Sequence, residues 1–212
     1  MEFLLENILN LIGFVVGLAI GVIAYIGYKN TGSATLFRLS IAFLSISVGF
    51  FVVWTGYMAE DFVLQKGQIE RWIQTLGIGI QTVGYFFIAF SHSIKSFFPK
   101  SRYLRSIGII PLFLVSTVHI EHIFRSISFI LLVYGAIETI LSYFEGKKKG
   151  TIFVAMGLSF LALGEFLGWY SFVFPESILY YVSISIKIAG LISLFIPVSK
   201  IPLTKIKFDP EI

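Results

Sequence analysis

Long apolar runs recur along the whole chain and leave little sequence between them. A helix needs roughly 20 predominantly apolar residues to cross a bilayer. Of the 212 residues, 57% are hydrophobic and 13% are charged, and the mean hydropathy is +0.89, which excludes an ordinary water-soluble domain. Runs bounded by charged or turn residues predict seven spans: 8–28, 36–58, 72–94, 104–118, 123–144, 152–173 and 178–197.

The fourth span is the shortest and contains Pro111, which removes one backbone donor and is expected to kink the helix. An alternative with six spans joins the fourth run to the fifth. That helix would carry Glu121 and Arg125 through lipid, at considerable cost. We therefore predict an all-α polytopic membrane protein with seven transmembrane helices in one domain, residues 1–212.

The distribution of Lys and Arg predicts the orientation, because cytoplasmic loops are enriched in both residues. Three basic residues, Lys66, Arg71 and Arg125, belong to one side of a seven-span protein. Twelve belong to the other side: Lys29, Arg38, Lys95, Lys100, Arg102, Arg105, Lys147, Lys148, Lys149, Lys200, Lys205 and Lys207. We predict a multi-pass protein of the cell membrane with the N-terminus outside and the C-terminus in the cytoplasm. We therefore interpret the net charge of +4 as an anchor to the anionic lipids of the cytoplasmic leaflet rather than as a surface for nucleic acid.

Small residues and a faint internal similarity indicate how the spans pack. Gly13, Gly17 and Gly21 lie four residues apart in the first span, so they share a face that another backbone can approach. Residues 41–49 in the second span resemble residues 158–164 in the sixth. The similarity suggests two three-helix repeats joined by the fourth span. Parallel repeats occur in transporters, with a site between the halves.

Three full charges, Glu138, Glu165 and Lys187, fall inside predicted spans. Insertion scales assign roughly 2.5–3.5 kcal/mol to a charge at a helix centre, so each side chain is expected to face the interior and to have a partner. Lys187 is midway along its span and Glu165 is near the middle of the preceding one, so we predict that these two side chains pair. Two interpretations remain open: a structural ion pair, or a titratable set that binds a ligand or a proton.

Further polar residues complete the candidate sites. Gln74 and Gln81 are seven residues apart in the third span and therefore share a face, where they can hydrogen-bond a ligand or a neighbouring helix. His119, Glu121 and His122 form a cluster that is expected at the outer surface, where they could contribute to a Zn or Cu site. With no cysteine and no recognisable catalytic motif, the sequence does not indicate an enzyme.

A lysine at the centre of the last of seven helices resembles the arrangement in microbial rhodopsins, as do Ser185-Ile186-Lys187 and Arg71-Trp72-Ile73-Gln74. The resemblance implies retinal bound as a Schiff base on Lys187. The chain departs from that family at two positions: Gln74 stands where a carboxylate counterion is expected, and Ser183 replaces an aspartate. Glu165 or Glu138 would have to supply the counterion.

Two main functional hypotheses follow. The first is a receptor-like or accessory bundle in which the interior polar residues sense a small ligand or protonation, and a helix shift is passed to a partner protein in the membrane or the cytoplasm. The second is a small-solute or proton-coupled transporter that uses the same residues. A retinal protein is the third. Only the retinal hypothesis requires a cofactor.

Overall fold

The protein folds into long helices that are apolar enough to cross a membrane. A computed structural model describes residues 2–60, 68–93, 120–146, 149–173 and 177–200. These residues form six helices: α1 (Glu2–Thr31), α2 (Ala34–Glu60), α3 (Gln68–Ser93), α4 (Ile120–Gly146), α5 (Lys149–Val173) and α6 (Ser177–Val198). All six contain a stretch of membrane-spanning length and hydropathy. The predicted all-α fold with several helices of membrane-spanning length and hydropathy is confirmed for the described residues, whereas the predicted fourth span, 104–118, lies outside them.

Large apolar side chains cover the outside of the bundle as well as its core. Leu76, Phe86 and Val15 are each more than half exposed although they lie within spanning stretches. Such residues are expected to face lipid tails. The turn between α1 and α2 is tight because Gly32 adopts a φ of 68°, and its N–H donates to the Tyr28 carbonyl over 2.7 Å. This left-handed residue ends α1 and reverses the chain.

The helices pack as a ring in chain order, and α6 returns to α1. Within the two chain halves, neighbours are antiparallel. Gly13 of α1 contacts Phe50 of α2, for example, whereas Gly21 contacts the earlier residue Leu44.

The helices α3 and α4 run parallel, unlike the neighbours within each half. Gly79 of α3 lies against Phe124 of α4, and Thr82, one turn further along α3, bonds Ser128, one turn further along α4. Leu5, near the start of α1, shares a groove with residues of the first half of α6, so these two helices also begin at one end. We call the end at which α1, α3, α4 and α6 begin the N-face, and the opposite end the C-face.

Packing contacts repeat between the first half, α1–α3, and the second half, α4–α6. Phe14 and Phe51 pack with ring centroids 5.1 Å apart and an interplanar angle of 43°. The residues 115 positions later, Phe129 and Phe166, pack at 5.7 Å and 42°. The pair Phe51–Trp54 is repeated in the same way by Phe166–Trp169, at 5.7 and 6.2 Å.

Glycine contacts extend the repeat to α3 and α6, with residue numbers 106 apart. A Cβ on Gly49 would lie 2.5 Å from Gln81 Cγ and 2.6 Å from the Gly77 carbonyl oxygen. A Cβ on Gly164, 115 positions after Gly49, would lie 2.5 Å from Lys187 Cγ and 3.0 Å from the Ser183 carbonyl oxygen. Gln81 and Lys187 are therefore equivalent positions. The internal repeat suggested by the sequence is present in the packing of these helices.

Candidate site: a buried charge ladder

Four charged side chains form a continuous ionic network inside the second half. Arg125 Nη2 lies 3.1 Å from Glu121 Oε1, and Arg125 Nη1 lies 3.5 Å from Glu165 Oε2. Lys187 Nζ lies 2.6 Å from Glu165 Oε1. We call these four residues the charge ladder, because carboxylates and cations alternate along it and its formal charge is zero.

Helix geometry makes the charge ladder run from the N-face to the middle of the bundle. Glu121 is the second residue of α4, whereas Lys187 is the eleventh of 22 residues in α6. At 1.5 Å per residue, Lys187 is about 15 Å from the start of its helix. Arg125 lies one turn after Glu121, and Glu165 of α5 connects it to Lys187. The network therefore occupies the N-face half of the bundle.

The ladder residues are buried among helices, with Glu165 completely inaccessible and Arg125, Lys187 and Glu121 at most 7% exposed. Close helix packing encloses them, because the Gly164 backbone contacts Lys187 and the Gly168 backbone contacts Arg125. Isolated buried charges are very costly, but each ladder charge here faces one of opposite sign.

The predicted surface location of Glu121 and Arg125 is wrong. Both residues lie near the N-face end of α4, but their side chains point into the bundle. They do so because Glu165, a carboxylate on the adjacent helix, lies within ion-pair distance of Arg125. Glu121, four residues before Arg125, shares its face of the helix and pairs with it.

The structure brings together only part of the residues proposed from the sequence. Glu165 and Lys187 are in contact. Glu138 is half-buried and takes part in none of the ion pairs within the described part of the chain. It follows Arg125 by 13 residues in α4, about 20 Å at helical rise. Gln74 is half-buried, and Gln81 is 2% exposed.

The proposed metal cluster is divided in the structure. His119 lies outside the described residues, and Glu121 pairs with Arg125. The half-buried His122 ring packs edge-on against Trp169 at 6.5 Å. Among the residues that the structure describes, no group of three or more His, Asp or Glu side chains could hold a metal ion.

Tyr85 was not singled out by the sequence but borders the charge ladder from the first half. It lies on α3, is completely buried, and its hydroxyl lies near the Glu165 carboxylate without forming a hydrogen bond to it. Its equivalent in α6 is the apolar Leu191. The site thus combines charges from the second half with a tyrosine from the first.

Apolar side chains fill the bundle on the C-face side of Lys187. On α6, Ile188, Leu191, Leu194 and Val198 continue into the main hydrophobic core. Residues of the other five helices complete this layer: Ile20, Phe43, Ile88, Leu132, Ala136, Leu158 and Leu161. The charge ladder therefore extends from one end of the bundle only, and the apolar layer separates it from the C-face.

No family model, curated protein or solved structure matches this chain. The two halves provide an internal comparison, because equivalent positions carry different residues in similar packing environments.

Proposed function

We propose that the protein is a receptor-like or accessory membrane bundle in which protonation or a small ligand at the charge ladder changes helix packing, and that a partner protein responds to the change. The observation that carries this proposal is the one-sided placement of the ladder above an apolar layer. A stimulus from the N-face has a short polar route to Lys187, whereas apolar side chains of the six described helices separate Lys187 from the C-face. This arrangement favours sensing over conduction and requires no catalytic step.

The internal repeat supports a functional rather than a structural role for the ladder. The first half packs its three helices with the same glycine and aromatic contacts, yet the positions equivalent to Arg125, Glu165 and Lys187 hold Asn10, Phe50 and Gln81. A three-helix unit of this design is therefore built without these three charges, although Glu6 occupies the position equivalent to Glu121. Buried ion pairs are in general weak contributors to stability, so a structural need does not explain them.

We further propose that the chain crosses the cell membrane seven times, with the N-face outside. The parallel orientation of α3 and α4 supports this proposal, because α3 ends at the C-face and α4 begins at the N-face. The Lys and Arg bias assigns the C-face to the cytoplasm. A partner protein that contacts the bundle from the cytoplasm would bind at this basic face.

A fluorescent reporter tests the sensing proposal. Because the chain has no cysteine, Val83→Cys provides a single labelling site on the exposed face of α3, next to the α3–α4 contact. In reconstituted vesicles, acidification on the N-face side should change the spectrum of an environment-sensitive label, whereas acidification on the C-face side should not. Replacing Lys187 by Met should abolish the response. No spectral change from either side would contradict the proposal.

Transport is a second candidate, because parallel three-helix halves are a plan used by transporters and the ladder meets Tyr85 of the other half. In that case the apolar layer would have to open during the cycle. Solute or proton flux into vesicles that is lost in Lys187→Met would support transport. Absence of flux in vesicles that still show the fluorescence response would favour sensing.

Retinal binding is a third candidate, supported by the contact of Glu165 with Lys187, since a protonated Schiff base needs a carboxylate nearby. Two grooves on the described surface, of about 450 and 410 Å³, are lined by residues such as Tyr181 and Tyr143, and no ladder residue lines either of them. Added retinal should give a visible band that disappears in Lys187→Met if this candidate is right.

A further inference from the structure

Two buried polar atoms on α3 lack hydrogen-bond partners among the described residues. They are Gln81 Oε1 and the Tyr85 hydroxyl, in residues that are 2% and 0% exposed. Neither atom is satisfied within the described part of the chain. Buried polar groups are nearly always hydrogen-bonded, and a bound water is the usual partner when no protein group is available.

The two atoms share one side of α3. Gln81 and Tyr85 are four residues apart and therefore neighbours on the helix surface. Helical side chains point back toward the N-terminus, which brings the long Tyr85 side chain over the turn that contains Gln81. The Tyr85 hydroxyl also faces Glu165. Gln81 and Tyr85 thus share one side of α3, and Tyr85 brings that side toward the Glu165 carboxylate of α5.

We propose that a water molecule binds between α3 and α5, held by Gln81 Oε1, the Tyr85 hydroxyl and the Glu165 carboxylate. The hydrogen-bonding capacities match, because water donates one proton to the Gln81 carbonyl and one to the carboxylate, and accepts from the tyrosine. A metal cation fits less well, since Lys187 and Arg125 both lie beside Glu165.

This water connects the ladder to the first half. Glu165 changes its hydrogen-bonding capacity when it gains a proton or loses contact with Lys187, and the water transmits that change to α3. The binding of the water is independent of the proposed sensing role. Only its part in coupling the halves rests on that role.

X-ray radiolytic footprinting of the full-length protein in nanodiscs tests the water directly. Hydroxyl radicals formed from a bound water oxidise the nearest side chains, even when these are inaccessible to bulk solvent. Tyr85 should be oxidised well above the background set by Phe50, an aromatic residue that is 1% exposed and packs against Gly13. In H₂¹⁸O, label should enter Tyr85 more slowly than it enters exposed residues.

Two variants test whether Gln81 and Glu165 hold the water. Gln81→Leu and Glu165→Gln should each reduce oxidation of Tyr85, with Gln81→Leu bringing it down to the Phe50 background. Ser47→Ala is the control, because the Ser47 hydroxyl bonds the Phe14 carbonyl elsewhere in the first half. Oxidation of Tyr85 at the Phe50 level in the native chain would overturn the proposal. So would strong oxidation that neither variant alters. If the water is found but the fluorescence response is absent, the sensing role alone fails.

Discussion

Replacing the charge ladder by neutral residues tests whether the network is needed to hold the bundle together. The neutral set consists of Glu121→Gln, Arg125→Asn, Glu165→Met and Lys187→Gln, so that no ladder charge is left without its partner. At positions 125 and 187, asparagine and glutamine are the residues found at the equivalent positions of the first half. If the ladder serves function rather than folding, the neutral set should fold and lose only the response.

Methionine is used at position 165 because the neighbouring helix differs between the halves. The Phe50 ring packs directly on Gly13, where an added Cβ would lie 2.8 Å away. The residue equivalent to Gly13 is Ser128, whose hydroxyl bonds Thr82. A phenylalanine at 165 would therefore meet a larger residue, and overpacking would obscure the result. Methionine is flexible and closer to glutamate in size.

The single variant Lys187→Gln sets the scale for comparison. It leaves Glu165 with Arg125 as its remaining ionic partner, at 3.5 Å. Removing one member of a buried pair typically costs about 3–5 kcal/mol. For a protein of this size that is a fall in melting temperature of about 6–20 °C. Replacing a whole buried ionic network by well-packed hydrophobic residues of similar volume is often neutral, or stabilising by about 1–4 kcal/mol. The neutral set contains polar amides, so this range is an upper limit for it.

Thermal unfolding in detergent, followed by tryptophan fluorescence, measures both variants. We expect the neutral set to melt within a few degrees of the native chain or above it, and Lys187→Gln to melt well below. A neutral set that melts as low as Lys187→Gln, or does not fold while a conservative control such as Ser47→Ala does, would refute the reasoning. The ladder would then be a structural network of the second half.

Three further predictions concern helix packing and membrane orientation. Gly84→Ala would place a Cβ 2.6 Å from the Ala42 carbonyl oxygen and should cost about 1–3 kcal/mol in thermal unfolding, whereas Gly150→Ala, with nothing within 4 Å, should cost little. Thr82→Val removes the bond to Ser128 between the halves and should cost about 0.6–1.7 kcal/mol, with Thr55→Val, whose hydroxyl bonds its own helix, as the control. In intact cells, a membrane-impermeant maleimide should label Ile178→Cys at the N-face but not Ser33→Cys in the α1–α2 turn; the reverse pattern would invert the proposed orientation.

Apolar run length was enough to predict the six described helices and the contact between Glu165 and Lys187. Charges in the middle of two consecutive spans are costly to bury in lipid unless they pair, so the free energy of insertion alone predicts their contact. The inward turn of Arg125 was not predictable in this way. Its position near a helix end is compatible with solvent or with the interior, and only the rotation of α4 about its axis decides between them.

The repeat was only faintly visible in the sequence because lipid-facing and core positions both accept many apolar residues. The similarity of residues 41–49 to 158–164 ends on Gly49 and Gly164, a pair that the packing shows to be equivalent. The sequence did not indicate a role for Tyr85 for a related reason. A tyrosine in an apolar run is typical of many environments, and its orientation toward Glu165 depends on how the two halves meet.

The glycine contacts of α2 with α3, and of α5 with α6, have a mechanical consequence. Within each half, backbones touch at several levels, so those helices cannot slide past one another without collision. The α3–α4 and α1–α6 contacts are less extensive. Any displacement driven from the middle of the bundle should therefore tilt each half as a rigid unit. A partner protein would then sense a change in angle between two blocks rather than the movement of a single helix.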